Sequence, residues 1–279
     1  RQPWRPELEE MKARRSEWIL LVWFLGAALV GQQPRHWVCL LLVAAAVWLL
    51  SWRRWEAARD WLPYPLMLLA YRSVGWMATP HESRAFEQAM VAWDRRLLED
   101  LLLRSAIEGL GWVIPAILEL SYLLVYGMPA YMVAVFWAAK RRRRLDLAWV
   151  AVLLATLGAY AFYPFVPSDP PRAVFPDQDL PLMTLIRRWN LMIVGNYGIH
   201  TSVFPSGHAA AAFGSAFATL LFLPENRRPG RWLLALAMLI AVATVYGRYH
   251  YAADTAAGVA LAALAAAVAW RMRKTDAGD

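Results

Sequence analysis

The sequence predicts an all-α fold, a polytopic transmembrane helical bundle of about 6–8 spans, from three observations. The 279-residue chain is 59% hydrophobic, with a mean hydropathy of +0.34. Soluble domains run nearer half apolar, so the excess needs somewhere other than a water-facing surface. Several runs approach the ~20 apolar residues that carry a helix across a bilayer core. The basic residues, finally, gather in short clusters between those runs: "KRRRR" at 140–144, "ENRRPGR" at 225–231 and "RMRK" at 271–274. That is the pattern of cytoplasmic loops under the positive-inside rule, so the net charge of +8 points to no nucleic-acid partner.

The elements follow in order. Residues 1–16 are charged and read as a cytoplasmic segment. Apolar runs at 17–31 and 36–52 are short spans joined by the turn "GQQPR". The first run follows charge and lacks a small-residue cleavage site, so it does not read as a cleavable signal. The run at 61–78 is a weaker span because it carries Arg72. Stronger spans are expected at 112–139, 146–164, 207–223, 232–247 and 251–270. With all three basic clusters inside, 165–206 and the 247–251 junction face outside, and three crossings must precede residue 80. Eight spans satisfy this; six, with an interfacial N-terminal part, is the alternative. Residues 1–60 then form N-terminal membrane helices, and 61–279 a membrane-embedded catalytic domain.

Between these runs, 82–104 places Phe86, Met90, Trp93, Leu97 and Leu101 on one helical stripe. It reads as a helix at the outer interface, with a lid over a lipid entry gap as the other possibility. Asp94 falls on its solvated face. The single cysteine, Cys39, excludes an internal disulfide and a cysteine-based metal site.

Three polar motifs fall on the same outer face: "VPSDPPR" at 166–172, "FPSGH" at 204–208 and "GRYHYAAD" at 247–254. Pro205-Ser206-Gly207-His208 opens a helix, whose unpaired N–H groups and positive dipole end make an anion site. Ser206 can cap, Gly207 lets the backbone approach closely, and His208 is a titratable proton donor. His250 and Asp254, four apart, share a helix face. Asp254 can accept from one ring nitrogen of His250, leaving the other as a nucleophile. Arg172 and Arg248 supply fixed positive charge suited to phosphate oxygens. Together these groups specify phosphoryl transfer.

The motifs resemble those of the type 2 phosphatidic acid phosphatase superfamily. Its pattern runs Lys…Arg-Pro, then Pro-Ser-Gly-His, then Ser-Arg followed by His and Asp. "PSGH" at 205–208 matches fully, and "HYAADTAAG" at 250–258 matches the His, Asp and Gly of the third motif. The resemblance covers 146–270 and extends loosely back to 61. It implies a six-helix catalytic core in which His250 attacks phosphorus, His208 protonates the leaving alkoxide and Asp254 holds the nucleophile. Arg172, Ser206, Gly207 and Arg248 would bind the phosphate, without metal or other cofactor. Two positions depart: the expected Lys is Phe165 and the expected third-motif Arg is Thr244. "PSDPPR" is similar instead to the inositol phosphorylceramide synthase branch, whose first motif reads Pro-Pro-Arg. Fewer cations suit a singly charged diester, so transfer of a phospholipid headgroup to a lipid alcohol is the leading reading, ahead of lipid phosphate hydrolysis. The partners are then a lipid substrate and the bilayer. The site would face away from the cytoplasm, in a bacterial plasma membrane.

Other readings are milder. Arg187, Arg188 and His200 sit on a solvated outer loop, and His36 and His81 are interface residues. A zinc site from His208, His250, Asp254 and His200 is opposed by adjacent arginines. A transporter would explain eight spans, but transport sites lie at mid-membrane rather than at span ends.

Overall fold

The computed structural model describes residues 13–31, 33–52, 55–77, 83–176, 180–199 and 202–275, which therefore exclude His81 and His200. Fourteen α-helices run in order among them: α1 (Arg15–Val30), α2 (Pro34–Trp52), α3 (Glu56–Trp61), α4 (Pro63–Val74), α5 (Ala85–Arg95), α6 (Leu103–Glu108) and α7 (Val113–Leu124); then α8 (Met128–Ala138), α9 (Leu145–Phe162), α10 (Pro171–Val174), α11 (Leu185–Tyr197), α12 (Gly207–Phe222), α13 (Arg228–Tyr246) and α14 (Ala252–Thr275). No strand occurs among the described residues, so the fold is all-α as expected.

The centre is α9. Leu145, Ala148, Trp149, Val150, Ala151, Val152, Leu153 and Ala155 are all fully buried, with α12 and α14 against it and α1 and α4 on its other flank. A helix apolar all round belongs inside a bundle. Small residues let its neighbours close in: Ala209–Ala212, Gly214, Ser215 and Ala216 line α12. At Gly258 the approach is tightest, since a Cβ there would lie 2.4 Å from the Ser206 carbonyl oxygen. Only glycine lets α14 meet the start of α12.

Four helical stretches are long and apolar enough to cross a membrane by length and composition: Val113–Ala138, Arg142–Phe162, Arg228–Tyr246 and Ala252–Arg273. His36–Leu49 and Gly207–Phe222 are apolar but shorter. The span expected at 61–78 differs from the structure. Pro63 and Pro65 break the run, leaving α3 and the 12-residue α4. Twelve helical residues rise about 18 Å, against a hydrocarbon core of ~30 Å. The stretch expected at 112–139 is also interrupted. Pro129, at the start of α8, and Gly127 convert Val125–Gly127 into a single 3₁₀ turn.

The amphipathic segment packs a mixed face on the protein. Glu87, Val91, Asp94 and Leu98 face the protein, while Trp93 is 59% and Leu101 71% exposed. Asp94 Oδ1 accepts from the Ala252 N–H at 2.8 Å, and Glu87 Oε1 from the Asp169 N–H at 3.0 Å. The solvated face assigned to Asp94 is therefore corrected to a buried one. Inside the protein these two carboxylates find backbone N–H partners that lipid does not offer, while Arg95, Arg96, Glu99 and Asp100 stay exposed.

α9, α12, α13 and α14 alternate in direction, which puts two of the basic clusters at one end of the bundle and all three polar motifs at the other. Arg144 pairs with Glu225 at 2.9 Å across the basic end. The motifs sit at the opposite end of the same helices.

Candidate active site

Backbone and hydroxyl contacts stitch the three motifs together. The Val203 N–H donates to Ser168 Oγ at 3.2 Å, and Ser202 Oγ donates to the Val166 carbonyl at 2.6 Å. The Ser206 N–H donates to the Asp254 carbonyl at 2.8 Å, and the Arg172 N–H to the Arg248 carbonyl at 3.2 Å.

Ser206 caps α12, its Oγ accepting from the Ala209 N–H at 3.2 Å. The Gly207 N–H donates to the Tyr163 hydroxyl at 3.2 Å. Two of the helix-start N–H groups are thus already satisfied within the protein and are not left over for a ligand. His208 projects from the first turn, stacked on Tyr122 with centroids 4.9 Å apart and edge-on to Tyr126 at 5.7 Å.

His250 lies between α13 and α14. Its Nε2 is 3.3 Å from His208 Nδ1, and its Nδ1 is 3.0 Å from the Val203 carbonyl oxygen. Because a carbonyl only accepts, Nδ1 carries the proton and Nε2 presents a lone pair. Asp254 Oδ2 is farther from Nδ1, at 3.5 Å, and accepts from the Tyr251 N–H at 2.8 Å. The backbone carbonyl of Val203 is thus the nearer orienting group. It was invisible in a pattern of residue types. Burial first, then the charge of Arg172, pushes the His250 imidazole down to about 3, so the ring is neutral near pH 7.

Arg172 donates from Nη1 to the Tyr249 carbonyl at 3.4 Å, its guanidinium 5.3 Å from the Tyr249 ring centroid. A cavity of about 310 Å³ opens here, lined by Arg172, His208, His250, Tyr122, Tyr126 and Tyr249, with Arg72 and Tyr197 on its α4 and α11 walls. A smaller chamber of about 60 Å³ adjoins it on the His208 side, against Met67, Tyr160, Gly207 and Ala211. Arg248, fully buried and with φ of +62°, is not among the residues lining either space; its charge acts on Asp94 and Tyr251 behind the site. Phe165, where the family pattern has Lys, is 80% exposed. Thr244 takes a structural part: its carbonyl accepts from the Tyr249 and His250 N–H groups at 2.9 and 3.0 Å.

Arg187 overturns the solvated-loop reading. It lies on α11, which Thr184 caps, its hydroxyl oxygen accepting from the Arg187 N–H at 3.1 Å. Its side chain pairs with Glu119 at 2.7 Å, both 2% exposed. Glu119 also accepts from Asn190 Nδ2 and the Tyr249 hydroxyl, each at 2.7 Å. A lone acid inside the apolar run of α7 was the signal that a buried cationic partner existed. Among the described residues no group of three or more His, Cys, Asp or Glu side chains could hold a metal ion.

The geometry is that of a histidine-paired pocket with Arg172 on its wall, at the end of a helical bundle, and one comparison with known proteins bears on it. The PAP2 superfamily model matches residues 162–277. The matched segment contains all three motifs and α11–α14, while α4 and α7, which also wall the cavity, and α5, which anchors Ala252, lie outside it. No curated protein and no solved structure matches the chain.

Proposed function

We propose that this chain is an integral-membrane phosphoryl-transfer enzyme that moves a phospho-headgroup from a phospholipid to a lipid alcohol through a phosphohistidine at His250. The observation that carries the reading is the 3.3 Å approach of His208 Nδ1 to His250 Nε2, beside Arg172 in one cavity. His250 Nε2 has its lone pair available, His208 stands where it can protonate a leaving oxygen, and Arg172 supplies charge for phosphate oxygens. Asp254 and the Val203 carbonyl hold the nucleophile's far nitrogen. The PAP2 superfamily match supports an enzyme acting on lipid phosphates.

The choice of headgroup transfer rests on charge. Arg187 is committed to Glu119, Arg248 lies behind the cavity wall and Phe165 replaces the expected Lys. Arg172 is thus the cation beside the histidine pair, which suits the single charge of a diester. Arg72, on the α4 wall of the same cavity, favours the second reading, hydrolysis of a lipid monoester or prenyl pyrophosphate.

Purified full-length protein in detergent, given phosphatidic acid, prenyl pyrophosphate or phosphatidylinositol with and without an acceptor lipid, separates the two by mass spectrometry. Headgroup transfer predicts product from the diester only with acceptor present. Phosphate release from the monoester, with no diester product, would overturn the transfer reading. Rapid quenching with phosphorus-labelled substrate should trap label in the wild type and none in His250→Ala. For sidedness, in a Cys39→Ser background, Leu180→Cys should react with an impermeant thiol reagent in intact cells and Arg227→Cys should not. The reverse pattern places the site in the cytoplasm.

A further inference from the structure

Tyr126 lies outside the segment that matches the PAP2 superfamily and in none of the three polar motifs. We infer that it is a positioning residue for proton exchange at His208: it holds Nε2, so that Nδ1 is the nitrogen that gives and takes the proton. The inference rests on the phosphoryl-transfer reading proposed above.

The tautomers can be assigned along a chain of contacts. His250 Nδ1 faces the Val203 carbonyl at 3.0 Å and carries the hydrogen, so His250 Nε2 is a lone pair. His208 Nδ1, 3.3 Å from that lone pair, is therefore the donor of the second contact. The third contact is Tyr126 Oη to His208 Nε2, at 3.4 Å. In the resting neutral ring, with its hydrogen on Nδ1, this nitrogen is a lone pair and the phenol donates to it; in the neutral ring left once Nδ1 has given its proton, it bears hydrogen and the phenol oxygen accepts. In an imidazolium it bears hydrogen and the phenol oxygen accepts. A hydroxyl serves both states, and a carboxylate or an amine would not.

Local structure fixes the phenol there. Pro129 and Gly127 force the 3₁₀ turn that carries Tyr126, and the Tyr126 carbonyl accepts from the Tyr64 hydroxyl of α4 at 2.8 Å. One helical turn earlier, Tyr122 stacks on the His208 ring. The ring is held by its face and by its far nitrogen, with Nδ1 turned to the reacting partner.

The exchange balances without net loss from Tyr126. The His250 Nε2 lone pair forms the N–P bond as the P–O bond to the lipid alcohol breaks, its electron pair staying on oxygen. That oxygen takes the Nδ1 proton of the His208 imidazolium. His208 is then neutral, its remaining proton on Nε2 and donated to the Tyr126 oxygen. In the second half an acceptor hydroxyl gives its proton to Nδ1 while its oxygen bonds to phosphorus. The N–P electron pair returns to His250.

The test uses the full chain in detergent and two esters of the same phosphate group, one with an alkyl leaving group and one with 4-nitrophenol, which departs without a proton. General acid catalysis is worth about 10²–10⁴-fold, and losing its alignment should remove on the order of tenfold. Tyr126→Phe should therefore slow the alkyl ester about tenfold and the nitrophenyl ester by less than about twofold. In a His208→Ala background the same change should add almost nothing, because the two residues act as a unit. Equal losses on both esters, or full additivity with His208→Ala, overturn the inference. Should Tyr126→Phe not fold, 3-fluorotyrosine at position 126 keeps the hydroxyl and lowers its pKa. A shift of the acid–base limb of the pH–rate profile is then expected, and an unmoved limb overturns the inference. Failure of the underlying reading looks different: wild-type protein would turn over neither ester and trap no phosphate on His250, and the inference would fall with it.

Discussion

Replacing Arg187 by alanine should destabilise the protein by about 3–5 kcal/mol, because it strands a buried carboxylate. Glu119 is 2% exposed, with Oε1 on Arg187 and Oε2 on Asn190 and Tyr249. Two neutral donors survive the substitution, which holds the cost toward the lower end. Arg187 also donates to the Gly247 carbonyl at 3.0 Å, so one further hydrogen bond worth about 1 kcal/mol is lost. A net loss of about 3 kcal/mol lowers the folded-to-unfolded ratio more than a hundredfold, at about 1.4 kcal/mol per factor of ten. Removing both charges together, Arg187→Met with Glu119→Gln, should cost clearly less than Arg187→Ala, since no unpaired charge remains. Unfolding in mixed micelles titrated with denaturing detergent, followed by circular dichroism, reads both. A single-variant cost below about 1 kcal/mol, or a double variant worse than the sum of its singles, would refute the buried-pair argument. Activity should fall as well, because Glu119 holds Tyr249, the residue beside His250.

Gly258→Ala should cost about 1–3 kcal/mol and reduce phosphoryl turnover, since its Cβ would meet the Ser206 carbonyl at 2.4 Å and push the start of α12 away; unchanged melting and turnover would show that the helices have room. Burial raises the Asp94 carboxyl to about 7, with Asp254 adding and the Ala252 N–H opposing. The unfolded chain then releases this proton first, so stability should fall as pH rises from about 4 toward 7. Asp94→Asn, which still offers an oxygen to Ala252, should abolish that slope in melting curves recorded across pH; an identical slope in the variant would count against a protonated Asp94. His208→Ala should slow alkyl esters far more than aryl esters in steady-state assays, and a uniform loss would remove His208 from the acid role.

The helical class was legible because lipid imposes a simple rule: about 20 apolar residues per crossing, with basic clusters between. Ser206, Gly207, His208, His250 and Asp254 were legible because each motif is contiguous and lies at a helix end. What stayed hidden needed a third dimension. Asp94 read as lying on a solvated face of the interfacial helix at 82–104, yet it turns inward with Glu87, because its partner, the Ala252 N–H, is 158 residues away in sequence. Arg187 read as a loop cation because its partner, Glu119, is 68 residues away in sequence. The Val203 carbonyl carries no residue signature at all. Tyr126 was hidden inside one long apolar run, although Gly127 and Pro129 already marked the break that aims it at His208.

The same reasoning explains why helices outside the matched segment wall this site. Residues 247–251 are not regular helix, and irregular backbone within a membrane protein must find its hydrogen bonds in the protein. Each residue there is tied to a different part of the bundle. The Gly247 carbonyl accepts from Arg187 of α11, and the Arg248 carbonyl from the backbone of Arg172 in α10. The Tyr249 hydroxyl donates to Glu119 of α7, and the His250 N–H to the Thr244 carbonyl of α13. The Tyr251 N–H donates to Asp254 of α14, and the Ala252 N–H to Asp94 of α5. His250 is therefore positioned by six helices at once, two of which, α5 and α7, precede residue 162. A fragment confined to 162–277 would keep all three motifs and lose Glu119, Asp94 and Tyr126, the groups that anchor both ends of the His250 segment and hold His208.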